Sequence, residues 1–151
     1  MKLLKQATLV LLFAISSAAA KSQVSSKAKM FDAFPESIYC PVDQFTKALN
    51  TKEGELIKLT FSDNFSFSGK VMSNIQKFQN LQTVFIKSND FENTYFQLSK
   101  QILEDKSISF VGRIMNNTKA DGYKLATDGN GNFKLIKFDS SNMLQDCSYI
   151  Q

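Results

Sequence analysis

The sequence predicts an all-β domain with one short N-terminal helix, and three observations carry that prediction. Apolar and polar residues alternate in short blocks between Gly54 and Asp139, turn residues separate the blocks, and the blocks recur about every ten residues. Successive side chains on a strand point to opposite faces, so alternation marks strands with one face on a core. About seven such strands joined by short turns favour an antiparallel meander closed, or nearly closed, into a small barrel, with a β-sandwich as the alternative.

The blocks can be taken in order. Ile57, Leu59 and Phe61 open the series. Phe65, Phe67, Gly69 and Val71 then alternate with Ser66, Ser68, Lys70 and Met72. Leu81 to Ser88 contains Val84, Phe85 and Ile86 in succession, which suits a strand covered on both faces. Thr94, Phe96 and Leu98 alternate with Tyr95, Gln97 and Ser99, and Ile108, Phe110, Gly112 and Ile114 with Ser109, Val111 and Arg113. Tyr123 and Leu125 continue the pattern, and Phe133 to Phe138 ends it. Gly69 and Gly112 stand in mid-strand, where glycine commonly marks a bulge or bend, or a close approach of backbone to a ligand.

Ahead of the strands, Met1 to Ala20 reads as a secretory signal peptide. Lys2 and Lys5 precede an apolar run from Ala7 to Ile15, and Ala18-Ala19-Ala20 offers small residues for cleavage. The run is too short for a spanning helix, so no transmembrane segment is expected in the mature chain. Residues 21–29 are polar and Ser-rich and read as a disordered arm. Residues 30–151 form the single β-rich domain, beginning with the docking residues Met30, Phe31, Phe34, Ile38 and Tyr39. A helix follows: Pro41 suits its first position, Asp43 complements its N-terminal end, and Val42, Phe45 and Leu49 share a face.

Composition then removes chemistry. The chain has no histidine, which excludes Ser-His-Asp and Cys-His constellations and imidazole zinc sites. Carboxylates occur near one another at Glu53 and Glu55 and at Glu104 and Asp105, in polar stretches that read as turns. Without Lys2 and Lys5 the net charge falls from +4 to about +2. Arg113 is the only arginine, so no nucleic-acid partner is expected. Lys58, Lys70, Lys87, Lys124 and Lys134 are scattered over the strands, as solvated outer faces that discourage edge pairing or as a patch for an anionic polymer.

Two cysteines in an exported chain predict a disulfide, Cys40 to Cys147, tying the start of the helix to the C-terminal tail. Closing a loop of that length would stabilise by roughly 4–5 kcal/mol at most. Asp128-Gly129-Asn130-Gly131-Asn132 supplies the turn of a tight hairpin. The alternative is a calcium loop through Asp128, Asn130, Asn132 and Asp139, against which Phe133 stands where such a loop needs glycine. No metal or other cofactor is otherwise expected. Asn64 and Asn116 begin Asn-x-Ser/Thr triplets.

The succession FSFSGKV, NLQTVFIKS, TYFQLS, SISFVGRI, GYKL and NFKLIKF, over Phe65 to Phe138, resembles small exported β-rich domains of unknown function of the Bacteroidetes type. The resemblance implies a periplasmic or extracellular location and a compact β fold, and it brings no catalytic residues. The expected function is therefore a non-catalytic binding or interaction module, secreted or periplasmic, with an unknown ligand or an exported protein partner. It would use the barrel mouth or an aromatic-lysine sheet face, with Tyr95, Arg113 and Tyr123 as candidate ligand-facing residues. Two alternatives come from other classes. One is a hydrolase of extracellular or cell-wall polymer using carboxylates such as Glu104, Asp105 or Asp128. The other is an inhibitor or prodomain-like partner of an exported enzyme.

Overall fold

The structure, a computed structural model, describes residues 28–139. Eight strands and one helix follow one another: β1 (Ser37–Cys40), α1 (Val42–Asn50), β2 (Leu56–Ser62), β3 (Phe65–Phe78), β4 (Leu81–Ser88), β5 (Thr94–Ile102), β6 (Ile108–Asn116), β7 (Asp121–Thr127) and β8 (Phe133–Asp139). They form one antiparallel sheet in the order β1-β8-β7-β6-β5-β4-β3-β2. The sheet is nearly closed into a barrel. The seven strands expected from alternation are β2 to β8. The eighth, β1, comes from the segment read as a docking stretch, and it pairs with β8 from Ser37 opposite Ile136 to Cys40 opposite Phe133.

The seam between β1 and β2 is bridged by the helix. Two backbone groups on the free edge of β2 are satisfied by α1 side chains: Lys47 Nζ donates to the Lys58 carbonyl at 2.6 Å and Thr60 N–H donates to Gln44 Oε1 at 3.0 Å. An edge strand is thereby protected without a further strand. The helix differs from expectation in one respect. Pro41 is extended, with ψ 134°, and precedes the helix, and the buried face is Phe45, Ala48 and Leu49, while Val42 is left exposed.

Inward positions alternate along every strand and fill the barrel. Leu59, Phe67, Val71, Val84, Ile86, Phe96, Leu98, Ile114 and Leu135 are fully buried in its middle. At the helix end Phe45 meets Phe110 and Phe133 with ring centroids 5.3 and 5.4 Å apart. At the opposite end Phe31 meets Tyr123 and Phe91, each at 5.3 Å. Phenylalanine thus occupies the whole length of the interior, since rings packed edge to face fill space at the density of a core.

Gly69 and Gly112 do not themselves bulge. The bulge in β3 falls two residues beyond Gly69, between Val71 and Ser73, and the Gly112 register is regular. A Cβ at Gly69 would run into the Lys87 carbonyl oxygen, so this glycine lets two strand backbones approach. Signal-like residues 1–20 and most of the arm lie outside the described residues; Ala28, the first of those described, accepts at its carbonyl from Ala120 N–H.

Candidate functional site

Both mouths of the barrel are shut. At the helix end, α1 lies across the opening, and the carbonyls at its C-terminus are held by side chains of β3 and β4. Asn74 Nδ2 donates to the Leu49 and Thr51 carbonyls at 2.8 Å each, and Gln82 Nε2 to the Leu49 carbonyl at 2.8 Å. Gln82 also donates to Asn74 Oδ1, which locks the two amides together. The last carbonyls of a helix have no partner within it, so docking them on a strand pair fixes the position of the lid.

At the other end the segment from Ala28 to Glu36 folds across the opening. Asp121 is buried, and its two carboxylate oxygens accept from Met30 N–H and Phe31 N–H at 2.6 Å each. Tyr123 Oη donates to the Pro35 carbonyl at 2.7 Å, and Lys137 Nζ donates to the Phe34 carbonyl at 2.7 Å while pairing with Glu36. Phe31 is drawn in under these bonds and is fully buried.

This closure settles where the candidate residues stand. Tyr123 belongs to the plug: it is fully buried, and its phenol is pushed up to about 12 by burial, with the nearby Glu36 and Asp121 carboxylates adding to the effect. Tyr95 and Arg113 do share the outer face, on the neighbouring strands β5 and β6. Tyr95 stands opposite Lys87 and Met115, and its ring stacks on Phe85 at 5.0 Å with an interplanar angle of 17°. Arg113 is exposed between Gln97 and Lys124. The stack also gives Phe85, the middle residue of the run Val84-Phe85-Ile86, an aromatic neighbour on the outer face.

No disulfide is present among the described residues. Cys40 is a free thiol pointing into the core, and Cys147 lies outside the described residues. Burial pushes the Cys40 thiol up to about 12, so it stays protonated and unreactive, with its Sγ 3.5 Å from the Ile38 carbonyl. The inward parity of β1 is the reason: alternation buries Ile38 and Cys40 and exposes Ser37 and Tyr39.

The hairpin reading of residues 128–132 is the one the structure takes. Asp128 Oδ1 accepts from Asn130 N–H and Asn132 N–H at 2.9 Å each, and Gly131 adopts φ +81°. These bonds hold the Asp128 carboxyl below the usual carboxylate range. Asp139 stands at the far end of β8, opposite Asp121, so the calcium set of Asp128, Asn130, Asn132 and Asp139 does not converge. The acids proposed for hydrolysis are equally dispersed. Asp105 is engaged by Ser107 in the β5–β6 turn, Glu104 lies exposed beside it, and Asp128 belongs to the other hairpin. Among the described residues no group of three or more Cys, Asp or Glu side chains could hold a metal ion. No helix among them is long and apolar enough to cross a membrane.

What remains open lies on the outside. Surface hollows of about 510, 360 and 270 Å³ sit at the helix end, the last between α1 and the β5–β6 hairpin and lined by Val42, Leu49, Ile108 and Phe110 with Gln82 and Lys100. Around them Phe78, Ile102, Leu103 and Ile108 are exposed. Asn116, by contrast, is closed to glycosylation: its amide donates to Thr94 Oγ1 and the Glu92 carbonyl at 2.7 Å each. No family model, curated protein or solved structure matches the chain.

Proposed function

We propose that this protein is an exported, non-catalytic binding module that works from the outside of its barrel. The observation that carries this reading is the filled and doubly capped interior, which leaves no chamber for a small ligand, together with the dispersal of the acids into separate turns. Catalysis by a carboxylate pair needs two acids around one cleft, at least one with an altered affinity for its proton. The signal-like Met1 to Ala20 supports export, and the resemblance to Bacteroidetes-type exported domains supports the same location.

A second reading, partner of an exported enzyme, is favoured by one observation: the exposed Phe78, Ile102, Leu103 and Ile108 gather at the helix end, as a protein-binding lip would require.

Native mass spectrometry of the chain purified from an exported fraction tests the filled interior, and the polypeptide mass alone is the expected result. Sedimentation of the labelled chain in the same fraction tests binding. A saturable shift to faster sedimentation, with no shortening of the polymers present, is expected. A retained small molecule, an unshifted chain at every concentration, or polymer cleavage would each overturn the proposal.

A further inference from the structure

We infer that the outer wall from β3 to β7 binds an acidic polysaccharide laid across the strands; this deepens the reading of a module acting from its outside and rests on it. Charge on the strands is sorted by face. The outward positions of all eight strands carry no Asp or Glu. The only strand carboxylates, Asp121 and Asp139, point inward at the plugged end, and every other acid of the described residues lies in a turn, in α1 or in the N-terminal segment.

Cations occupy the wall instead, and they do so in apposed pairs. Lys70 stands directly opposite Lys87, and Arg113 directly opposite Lys124. Like charges in directly opposed positions destabilise a sheet, and none of these four forms an ion pair with a described residue. Protection of sheet edges does not account for them. The edges are β1 and β2, whereas these residues stand on β3, β4, β6 and β7, each hydrogen-bonded on both sides. An arrangement that costs stability and guards no edge is explained by an anion that spans it.

The middle of the row is aromatic. Tyr95, on β5, lies beside Lys87, and its ring stacks almost parallel on Phe85 of β4. With strands about 4.8 Å apart, Lys70 to Lys124 covers roughly 19 Å around the wall. An aromatic pair flanked on either side by apposed positive charges suits sugar rings that carry negative groups at intervals. Lysine is a compact point charge, matched to an isolated carboxylate or sulfate, whereas phosphate-rich polymers draw on the bidentate fork of arginine, of which this wall has one.

The test is titration of the chain with polygalacturonate, dextran sulfate and neutral dextran at two salt concentrations, with a DNA duplex and phosphatidylglycerol vesicles as competing polyanions. We expect saturable binding to polygalacturonate or dextran sulfate, the two separating carboxylate from sulfate recognition, weakened by salt and absent with neutral dextran. The triple variant Lys87→Gln, Arg113→Gln, Lys124→Gln should bind at least tenfold more weakly, and Lys52→Gln with Lys119→Gln, in turns, should match the parent. Tyr95→Ala should weaken binding without changing its salt dependence. The wall variants remove only exposed or half-exposed groups, and the triple variant, relieved of two apposed like-charge pairs, should melt slightly higher than the parent.

Equal weakening by wall and turn variants, equal binding of neutral dextran, or tighter binding of duplex or vesicles would overturn the inference. If no acidic glycan binds while the exported fraction still shifts the chain in sedimentation, the inference fails and the binding-module reading stands. If neither binds, both fail.

Discussion

The two ends of the barrel are closed by opposite means. At one, an amphipathic helix lies over the opening and is held by neutral amides, Asn74 and Gln82, on its terminal carbonyls. At the other, a segment with no helix or strand is held by a buried carboxylate, Asp121, on two backbone amides. Hydrogen bonds to a charged acceptor are shorter and about twice as strong as neutral ones. The irregular plug therefore draws more from its buried carboxylate than the helical lid draws from either of its amides. A helix satisfies most of its own backbone and needs little more than a buried face, whereas an irregular segment must find partners for its polar groups elsewhere.

The comparison can be pressed by substitution, beginning with the ring beneath each closure. Phe31→Ala and Phe45→Ala should each cost about 3–5 kcal/mol, as truncations of fully buried rings. Denaturant unfolding measures both. Proteolysis should separate them, with cleavage near residues 28–36 rising in Phe31→Ala alone.

Asp121→Asn comes next, at about 3 kcal/mol, because an amide cannot accept both N–H groups and leaves a buried donor unmade. Asn74→Ala should cost only about 1 kcal/mol, since Gln82 still donates to the Leu49 carbonyl. Equal losses from the two substitutions, in the same unfolding assay, would show that the plug and the lid are not held differently.

Alkali should loosen both closures, the plug through Tyr123 and the start of the lid through Cys40. The folded Tyr123 pKa, about 12, lies above its ordinary 10, so the stability it contributes is complete below pH 10 and is lost as pH rises toward 12. Cys40, raised from 9 to about 12, adds a loss that begins about one unit lower. Tyr123→Phe should lose about 1 kcal/mol at neutral pH with its bond to Pro35, yet show a shallower fall between pH 10 and 12. Melting temperature recorded against pH gives the slopes. The smallest effect belongs to neither closure: Lys106, at φ +66° in the β5–β6 turn, should tolerate Lys106→Gly with a gain of about 0.5 kcal/mol or less.

Alternation made β2 to β8 legible, because each of those strands has one face on a core of large side chains. It did not reveal β1, whose four residues are too few to display a period and follow Phe34-Pro35. The helix was legible from its spacing, but its register was not: Pro41 stays extended, and the buried face shifts to Phe45, Ala48 and Leu49.

Tyr123 was readable as a core residue: its alternation with Leu125 assigns it to the inner face, where the structure buries it. Asp121 offered no local signal, since its partners lie about 90 residues earlier and an Asp before Gly looks like an ordinary turn acid. The outer wall was half legible: the lysines were visible along the strands, but their apposition as Lys70 with Lys87 and Arg113 with Lys124 depends on register, which pairing alone determines.

The barrel is filled by its own side chains and covered at both ends, which leaves its outside for a partner. The most direct measurement is an NMR titration of the labelled chain with a small apolar probe such as cis-parinarate, following the side chains of Phe67, Leu98 and Ile114 at the middle of the interior. The account requires that these signals stay where they are at every probe concentration. A saturable shift confined to them would mean a chamber that opens to ligand, and would contradict it.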